Sequence, residues 1–417
     1  MKKTLNRRAF LRGMGALALA PVIVPSSAFG ANDRIAVGYI GVGRRAQDLL
    51  RLPKDMAGVA AADIYAKRLE KFKAQGWKVF ADYRELLADP SIDAVVVATP
   101  DHWHILPSIH ACGAGKDVYV EKPLSLTVRE GRLLSDAARK NNRIVQVGSQ
   151  QRSIPVNRAA CALVRDGALG ALKEVHAANY PSPWDCDLPE QPVPEGLNWD
   201  VWFGQTQPRP YHEDLFLPRA NGRKDAQGRP LGWISFKPWS GGEMTGWGAH
   251  GLDQIQWALG MDASGPVEVW ADGTELTSPV HMRYASGLVV HLDGKGDPGG
   301  AKFVGEKGSL DVMRANFATD IPEVEKALKA EMRPKFNDTL AHIENWRDCI
   351  RSRQLPAADI EIGHRSCTVC HLGNIARWTG RPLKWDPAAE RFVDDAEADR
   401  LLRRDQRAPW GIPGNEG

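Results

Sequence analysis

The chain has 417 residues, close to three ordinary domains of about 150, so two domains with additions are expected. Charged residues make up 25% and hydrophobic ones 43%, the balance of a globular protein rather than a disordered or repetitive one. The formal charge of +3 rests on five basic residues in the first 30, which hold no acid; the remainder is slightly acidic, which excludes a nucleic-acid binder.

Arg7-Arg8 lead into a short apolar run, Met14 to Val24, then the small residues Ala28 and Gly30 around Phe29. A positive segment, a short apolar run and small residues are the layout of a secretory signal. Asn6-Arg7-Arg8-Ala9-Phe10-Leu11-Arg12 resembles a twin-arginine export signal, which implies export of the folded protein, cleavage near Gly30 and a periplasmic location. The apolar run is too short for a bilayer, which needs about 20 residues, and no other run approaches that length, so no membrane span is expected.

From 31 to 150 short apolar runs alternate with amphipathic stretches. The runs Ile35–Ile40, Gly58–Ala62, Ala94–Ala98, Val118–Val120 and Ile144–Val147 read as strands. Ala46–Leu52, Lys67–Gln75, Tyr83–Ala88, Ile105–Gly113 and Val128–Asn141 read as helices between them. That alternation predicts a doubly wound parallel sheet, and the almost wholly apolar strands fit burial on both faces. From 151 to 390 the texture changes to helix Val156–Arg165, strand Leu172–Asn179, a Pro-rich stretch from Pro181 to Gly196, strands Val267–Ala271, Gly287–Leu292 and Ala301–Val304, and helices Leu252–Leu259, Thr339–Arg351 and His364–Trp378. A second α/β domain with a mostly antiparallel open sheet follows, and 391–417 reads as a tail.

Eight of the 14 tryptophans fall between Trp184 and Trp270. A broad apolar face with one polar handle suits a concave surface for a ring-shaped polar ligand such as a sugar, although about half are expected to be core filler. Six cysteines in so long a chain do not make a disulfide scaffold. Cys367-Thr368-Val369-Cys370-His371 matches the haem-attachment spacing, but it sits in a helical pattern with apolar neighbours, which favours buried thiols.

Strand Ile35–Ile40 runs directly into Gly41-Val42-Gly43-Arg44-Arg45-Ala46, a G-x-G-x-x-A fingerprint between strand and helix. Such a loop admits a pyrophosphate to the backbone at a helix N-terminus. Asp63, 22 residues after Gly41, stands where an acid accepts hydrogen bonds from a ribose and repels a 2′-phosphate, so NAD is favoured over NADP. Thr99, Pro100, His102 and His104 follow the next strand; Glu121 and Lys122 follow the one after, and Gln150 the last. All stand at carboxyl ends of parallel strands, where open α/β sheets bind ligands, and are candidate cofactor contacts. Asp101, His102 and His104 also invite a metal reading, but a loop over a dinucleotide explains them as well, and no metal is expected.

The fingerprint together with Glu121-Lys122-Pro123, Asn198-Trp199-Asp200-x-Trp202, Gly241-Gly242-x5-Gly248-x-His250-x2-Asp253 and Phe303-Val304-Gly305-Glu306-Lys307-Gly308 resembles the glucose–fructose oxidoreductase, inositol dehydrogenase and rhizopine-catabolism (Gfo/Idh/MocA) family over nearly the whole chain after the signal. The resemblance implies a catalytic pair at the nicotinamide, Lys122 as polariser and His250 as general acid/base. It implies substrate contacts from Lys122, Trp184, Tyr211, Glu243, His250 and Asp253, and a homo-oligomer. Many members carry an aspartate four residues before the histidine; here Gly246 stands there, with Glu243 or Asp253 as substitutes. The expected activity is hydride transfer at a carbinol carbon of a sugar, cyclitol or glycoside with tightly bound cofactor. The alternatives are cleavage of a glycosidic bond through transient oxidation, and non-catalytic sugar binding.

Overall fold

The computed structural model describes residues 34–415; the expected export signal lies outside the described residues. Six parallel strands, β1 (Ile35–Ile40), β2 (Met56–Ala62), β3 (Lys78–Phe80), β4 (Ala94–Val97), β5 (Asp117–Val120) and β6 (Val145–Val147), form a sheet in the order β3-β2-β1-β4-β5-β6. That order reverses direction between β1 and β4, and the crevice at the reversal is where open α/β sheets take ligands. The first helix spans Arg44–Asp48 rather than 46–52. It starts directly after Gly43, and Pro53 disfavours helical backbone at Leu52. Strand β3, three residues long and half exposed, is too short to stand out in the hydropathy pattern.

The second sheet holds β7 (Leu172–Ala177), β8 (Glu268–Ala271), β9 (Val280–Arg283), β10 (Val289–Leu292), β11 (Ala301–Gly305), β12 (Ser309–Met313), β13 (Asn316–Thr319), β14 (Leu383–Asp386) and β15 (Arg391–Phe392). Its order is β13-β12-β11-β7-β10-β9-β8-β14-β15, antiparallel except for the parallel pair β7 and β10. The expected architecture is therefore present.

Two domain boundaries differ from the linear reading. Helix Asp338–Ser352 places Ile343, Trp346 and Cys349 in one core with Val37, Tyr39 and Tyr119 of the first sheet. The supposed tail is built in: β15 pairs with β14, and Trp410 and Ile412 bury themselves among Trp103, Leu106 and Val120.

Helix Ile360–Thr379 runs between the two sheets' layers, capped by the Asp359 carboxylate and ended by Gly380 at φ +65°. Its Cys367, Cys370 and His371 are all buried, and all six cysteines are unbridged thiols, which supports the core reading of that motif. The fully buried Arg377 donates to the carbonyls of Tyr180 (2.7 Å) and Ser278 (2.8 Å), and Asn374 donates to the Gly241 carbonyl (2.7 Å). Both ends of the long 181–241 segment are thus anchored to one helix. Within that segment Trp184, Trp199, Trp202, Phe203, Tyr211, Phe236 and Trp239 form a hydrophobic core of their own. No helix among the described residues is long and apolar enough to cross a membrane.

Candidate active site

The carboxyl ends of β1, β2, β4 and β5 open onto a cleft of about 840 Å³. Its floor carries Gly41, Gly43, Arg44, Arg45, Asp63, Thr99, Pro100, His104, Glu121 and Lys122, ten of the residues expected at the cofactor or substrate. Gly41 has φ +78°, and a Cβ there would lie 2.8 Å from Thr99 Cγ2, so only glycine lets the loop turn this tightly. The Val42 N–H donates to Asp63 Oδ2 (2.9 Å) and the Tyr65 N–H to Oδ1 (2.9 Å), which holds the acid at the cleft edge.

Arg45 Nε donates to Glu121 Oε1 (2.9 Å), and Gln150 Nε2 donates to Glu121 Oε1 (3.1 Å) and to the Tyr119 hydroxyl (2.7 Å). Val42 and Gln150 therefore support the cleft from behind. His104 contacts the carbonyls of Pro123 (2.7 Å) and Thr99 (3.0 Å), tying two cofactor loops together. His102 is fully buried against the Trp202 carbonyl (2.6 Å), and burial pushes its pKa down to about 4; it is structural rather than a cofactor contact.

These groups fit a dinucleotide. The Thr99 hydroxyl is buried at the cleft with no hydrogen-bond partner among the described residues, and the loop before the first helix is kept bare by Gly41 and Gly43. A ligand oxygen would satisfy the one, and a pyrophosphate would use the other.

Lys122 is half-buried, and its Nζ donates to the Gly246 carbonyl at 3.2 Å. Burial lowers the ammonium's pKa, opposed by the charges of Glu121, Asp101 and Glu243. His250, 6% exposed, begins the helix Gly248–Ala258 under the half-exposed Trp247, their rings 5.7 Å apart. Burial and then the Lys122 charge hold its pKa well below the usual histidine value, so it is a neutral imidazole beside a cation. The cavity wall reaches Gly246 and does not include His250 itself.

Besides His250, four expected substrate contacts are not in the cleft wall: Trp184, Tyr211, Asp253 and Glu243, whose carboxylate is paired with Arg219 at 2.8 Å. Trp184 is buried edge-on to Phe236 beneath the Arg229 guanidinium (3.8 Å), and Tyr211 is buried edge-on to Trp199. Four of the eight clustered tryptophans, Trp184, Trp199, Trp202 and Trp239, are buried, about the expected half, because the 181–241 segment needs a core of its own. Asp253 is consumed by Arg152 Nε (2.9 Å) and the Ser366 hydroxyl (2.7 Å), a buried network away from the cleft.

The cleft includes residues the sequence did not single out. Asp101 lines it, accepts from the Ser240 hydroxyl (2.7 Å), and has its pKa raised by burial. Phe216, Pro218, Arg219 and Asn221 line it from the 181–241 segment, and Trp410 from the C-terminal stretch. Only the Asp101-His102-Trp103-His104 string carries a signal, as the loop over the dinucleotide expected above. Among the described residues no group of three or more His, Cys, Asp or Glu is arranged to hold a metal ion.

A Rossmann sheet, a bare glycine turn with its acid, and a lysine at the end of the same cleft define a dinucleotide-binding α/β protein. Family comparison agrees: residues 35–149 match the oxidoreductase-family NAD-binding Rossmann fold, and 176–412 match the C-terminal alpha/beta domain of the same family. The chain belongs to the Gfo/Idh/MocA oxidoreductase family, and its cofactor is NAD.

Levoglucosan dehydrogenase of Pseudarthrobacter phenanthrenivorans is 33% identical over 113 residues, 27% of this chain and 28% of that protein. The chain spans at most about half the length of the curated relatives it matches. Among solved structures, the WlbA dehydrogenase from Bordetella pertussis, in complex with NADH and UDP-GlcNAcA, shares 18% identity at a TM-score of 0.62 over 85% of this chain and 99% of that one. The aldose-aldose oxidoreductase from Caulobacter crescentus, complexed with glycerol, shares 18% at 0.59, over 84% and 99%. These two establish likeness of fold.

Asp63 yields the first expected result. Arg68, the nearest candidate for a 2′-phosphate clamp, is stacked over Phe216 (4.8 Å) with Nη1 3.6 Å from Asp63 Oδ2, so it is already engaged. Denatured protein should release NAD(H) on chromatography with little or no NADP(H), and Asp63→Ser should raise the 2′-phosphorylated share.

Proposed function

We propose that the protein oxidises a carbinol carbon of a sugar, cyclitol or glycoside in the periplasm with NAD retained between turnovers, the hydride passing on to the carbonyl of a second sugar or back to a transiently oxidised glycoside, so that the net reaction is redox-neutral. The observation that carries the oxidoreductase reading is Lys122, held on the Gly246 carbonyl at 3.2 Å at the end of the cleft that begins at Asp63. Removing hydride from a carbinol requires a base for the hydroxyl proton and a positive donor at the oxygen. Lys122 is the donor. His250, neutral by burial, takes the proton, and the adjacent ammonium favours passing it onward. Bound NAD supplies the hydride acceptor.

Retention rests on the roof of the cleft. The 181–241 segment is stitched to the ribose side: the Ala66 N–H donates to the Gly196 carbonyl (2.9 Å) and the Asn198 N–H to the Ile64 carbonyl (3.0 Å). Downstream, Phe216 to Asn221 and Trp233 line the same cleft as Asp63. The periplasmic assignment rests on Arg7-Arg8 and the apolar run after them. A protein exported folded can carry its cofactor with it, whereas no soluble NAD pool is expected outside the membrane.

The test supplies protein freed of loose nucleotide with D-glucose, D-galactose, myo-inositol, levoglucosan and nitrophenyl glycosides, and follows reduced-nicotinamide absorbance and products. Many turnovers without added NAD are expected. Strict dependence on added NAD, with free NADH accumulating in step with product, would refute retention. A released aglycone would identify glycoside cleavage instead of net transfer between carbonyls.

A further inference from the structure

Residues 404–415 run between the first domain and the segment that roofs the cleft, and they are tied to both. On the domain side Gln406 Nε2 donates to Glu130 Oε1 (3.1 Å) in helix Val128–Lys140, and Arg129 Nη2 donates to the Gly414 carbonyl (3.1 Å). On the roof side Arg407 donates from Nε to the Gly204 carbonyl (2.9 Å), from Nη1 to Asp200 Oδ1 (2.8 Å) and from Nη2 to the Asp200 carbonyl (2.7 Å). The Arg407 N–H donates to the Gln205 carbonyl (2.9 Å), and the Arg404 guanidinium to the Lys237 carbonyl.

Trp410 stands between these ties. It packs edge-on to Trp103 (5.3 Å), carries the Arg84 guanidinium over its ring (4.9 Å), and lines the cleft together with Arg84. Core packing accounts for the contact with Trp103. It does not account for a half-exposed cation and a cavity at the same ring.

Sheet order shows which end of the cofactor this is. The pyrophosphate belongs at the Gly41–Gly43 turn after β1, and the ribose at Asp63 after β2. Lys122, at the nicotinamide end, follows β5 on one side of that turn, whereas Arg84 lies four residues past the end of β3 on the other. A dinucleotide laid across the sheet in this direction has its adenine beyond Asp63, between the loops that follow β3 and β4. Arg84 belongs to the first of those loops and Trp103 to the second, and Trp410 touches both residues.

We propose that Trp410, with Arg84, is the wall on which the adenine of bound NAD stacks, and that residues 404–415 are the strap that keeps the cofactor from leaving. Freeing the adenosine half then requires parting Arg407 from Asp200 and Gly204. The strap rests on the retention reading above; the stacking wall rests only on the NAD-binding fold.

The experiment loads the full chain with NADH, chases it with excess NAD, and follows release by the loss of bound-NADH fluorescence. ADP-ribose, which carries the adenosine half without nicotinamide, is titrated separately by calorimetry into protein freed of nucleotide. Trp410→Ala is expected to speed NADH release and to weaken ADP-ribose alike, by about 10- to 100-fold, the scale for losing one base-stacking face. Trp410→Phe keeps a flat ring and is expected to stay within about fivefold of the parent. Arg407→Ala unties the roof without touching the cleft wall and is expected to speed NADH release by about tenfold. Ile412→Val, at a fully buried position of the same stretch outside the cleft wall, should lower the Tm slightly and leave both ligand measurements within about twofold of the parent.

A folded Trp410→Ala protein within about twofold of the parent in both measurements would overturn the stacking wall. Faster NADH release with ADP-ribose binding unchanged would also overturn it, as would Trp410→Phe no better than Trp410→Ala. Ile412→Val as damaging as Trp410→Ala would do the same, since it would show general loosening of the stretch. Arg407→Ala at the parent release rate would overturn the strap. Should Trp410→Ala not fold, Arg84→Ala, a change at a half-exposed side chain, decides with the same two ligands and the same expected direction. A parent that sheds its NADH within seconds would sink the retention reading and the strap with it, whereas the ADP-ribose comparison would still decide the place of Trp410.

Discussion

Lys122→Ala is expected to lower turnover by about 10²–10⁴-fold, the range for removing a positioned proton-transfer or charge-stabilising group, while the bound NAD and the Tm stay those of the parent. Among the described residues the ammonium's hydrogen bond is to the Gly246 backbone carbonyl, so few stabilising contacts are lost with it. His250→Ala is expected to fall in the same range. Lys122→Arg should not restore the rate, because a planar fork replaces a compact point charge. The pH profile supplies a second readout. The lowered His250 pKa leaves the base free well below the usual histidine value, so activity should persist as pH falls through 6.5 and drop only further down. The lowered Lys122 pKa means the ammonium is lost before the ordinary lysine value of 10.5, so the alkaline limb should lie below that value. Initial rates across pH, together with nucleotide content of each variant, check both. A His250→Ala protein with near-parent rates would move the base to Asp101, which lines the same cleft as Lys122.

Asp253→Ala is expected to damage stability rather than chemistry. Asp253 and Arg152 are each about 2% exposed at the side chain, and the guanidinium also stacks over Trp257 at 5.0 Å. Removing one partner of a buried pair typically costs about 3–5 kcal/mol, because it leaves a charge in the interior. Asp262 still holds Arg152 at 2.8 Å, which places the expected loss at the lower end, about 3 kcal/mol, and a fall in Tm of about 5–10 °C. Thermal unfolding by circular dichroism measures the loss, and kcat per mole of bound NAD should stay within a few-fold of the parent. A stable Asp253→Ala protein with lost turnover would return Asp253 to the substrate site.

Much of the cofactor half was legible before folding because its signals are local. A strand, a glycine turn and a helix that follow one another within a dozen residues leave their whole pattern in one stretch of chain, as Ile35 to Ala46 does. The parallel strands are apolar on both faces because helices cover both, which makes them stand out wherever they exceed three residues. The expected export signal is equally local, and its reading rests on sequence alone.

The substrate half depends on contacts between distant parts of the chain. Whether Asp253 faces a sugar or Arg152 is decided by a residue 101 positions away, and its second partner, Ser366, is 113 positions away. Trp184 and Tyr211 look like sugar platforms in sequence, yet the segment that carries them needs its own core, and burial took them. Trp410 and Arg219 reach the cleft only because the C-terminal stretch returns to the first domain and the 181–241 segment is pinned by Arg377 and Asn374. Sequence by itself determined the Rossmann half and its NAD cofactor, since motif spacing encodes them. Only the tertiary structure decided that Asp253 belongs to Arg152 and that Arg219 and Trp410 line the cleft, because those placements turn on contacts between segments far apart in the chain.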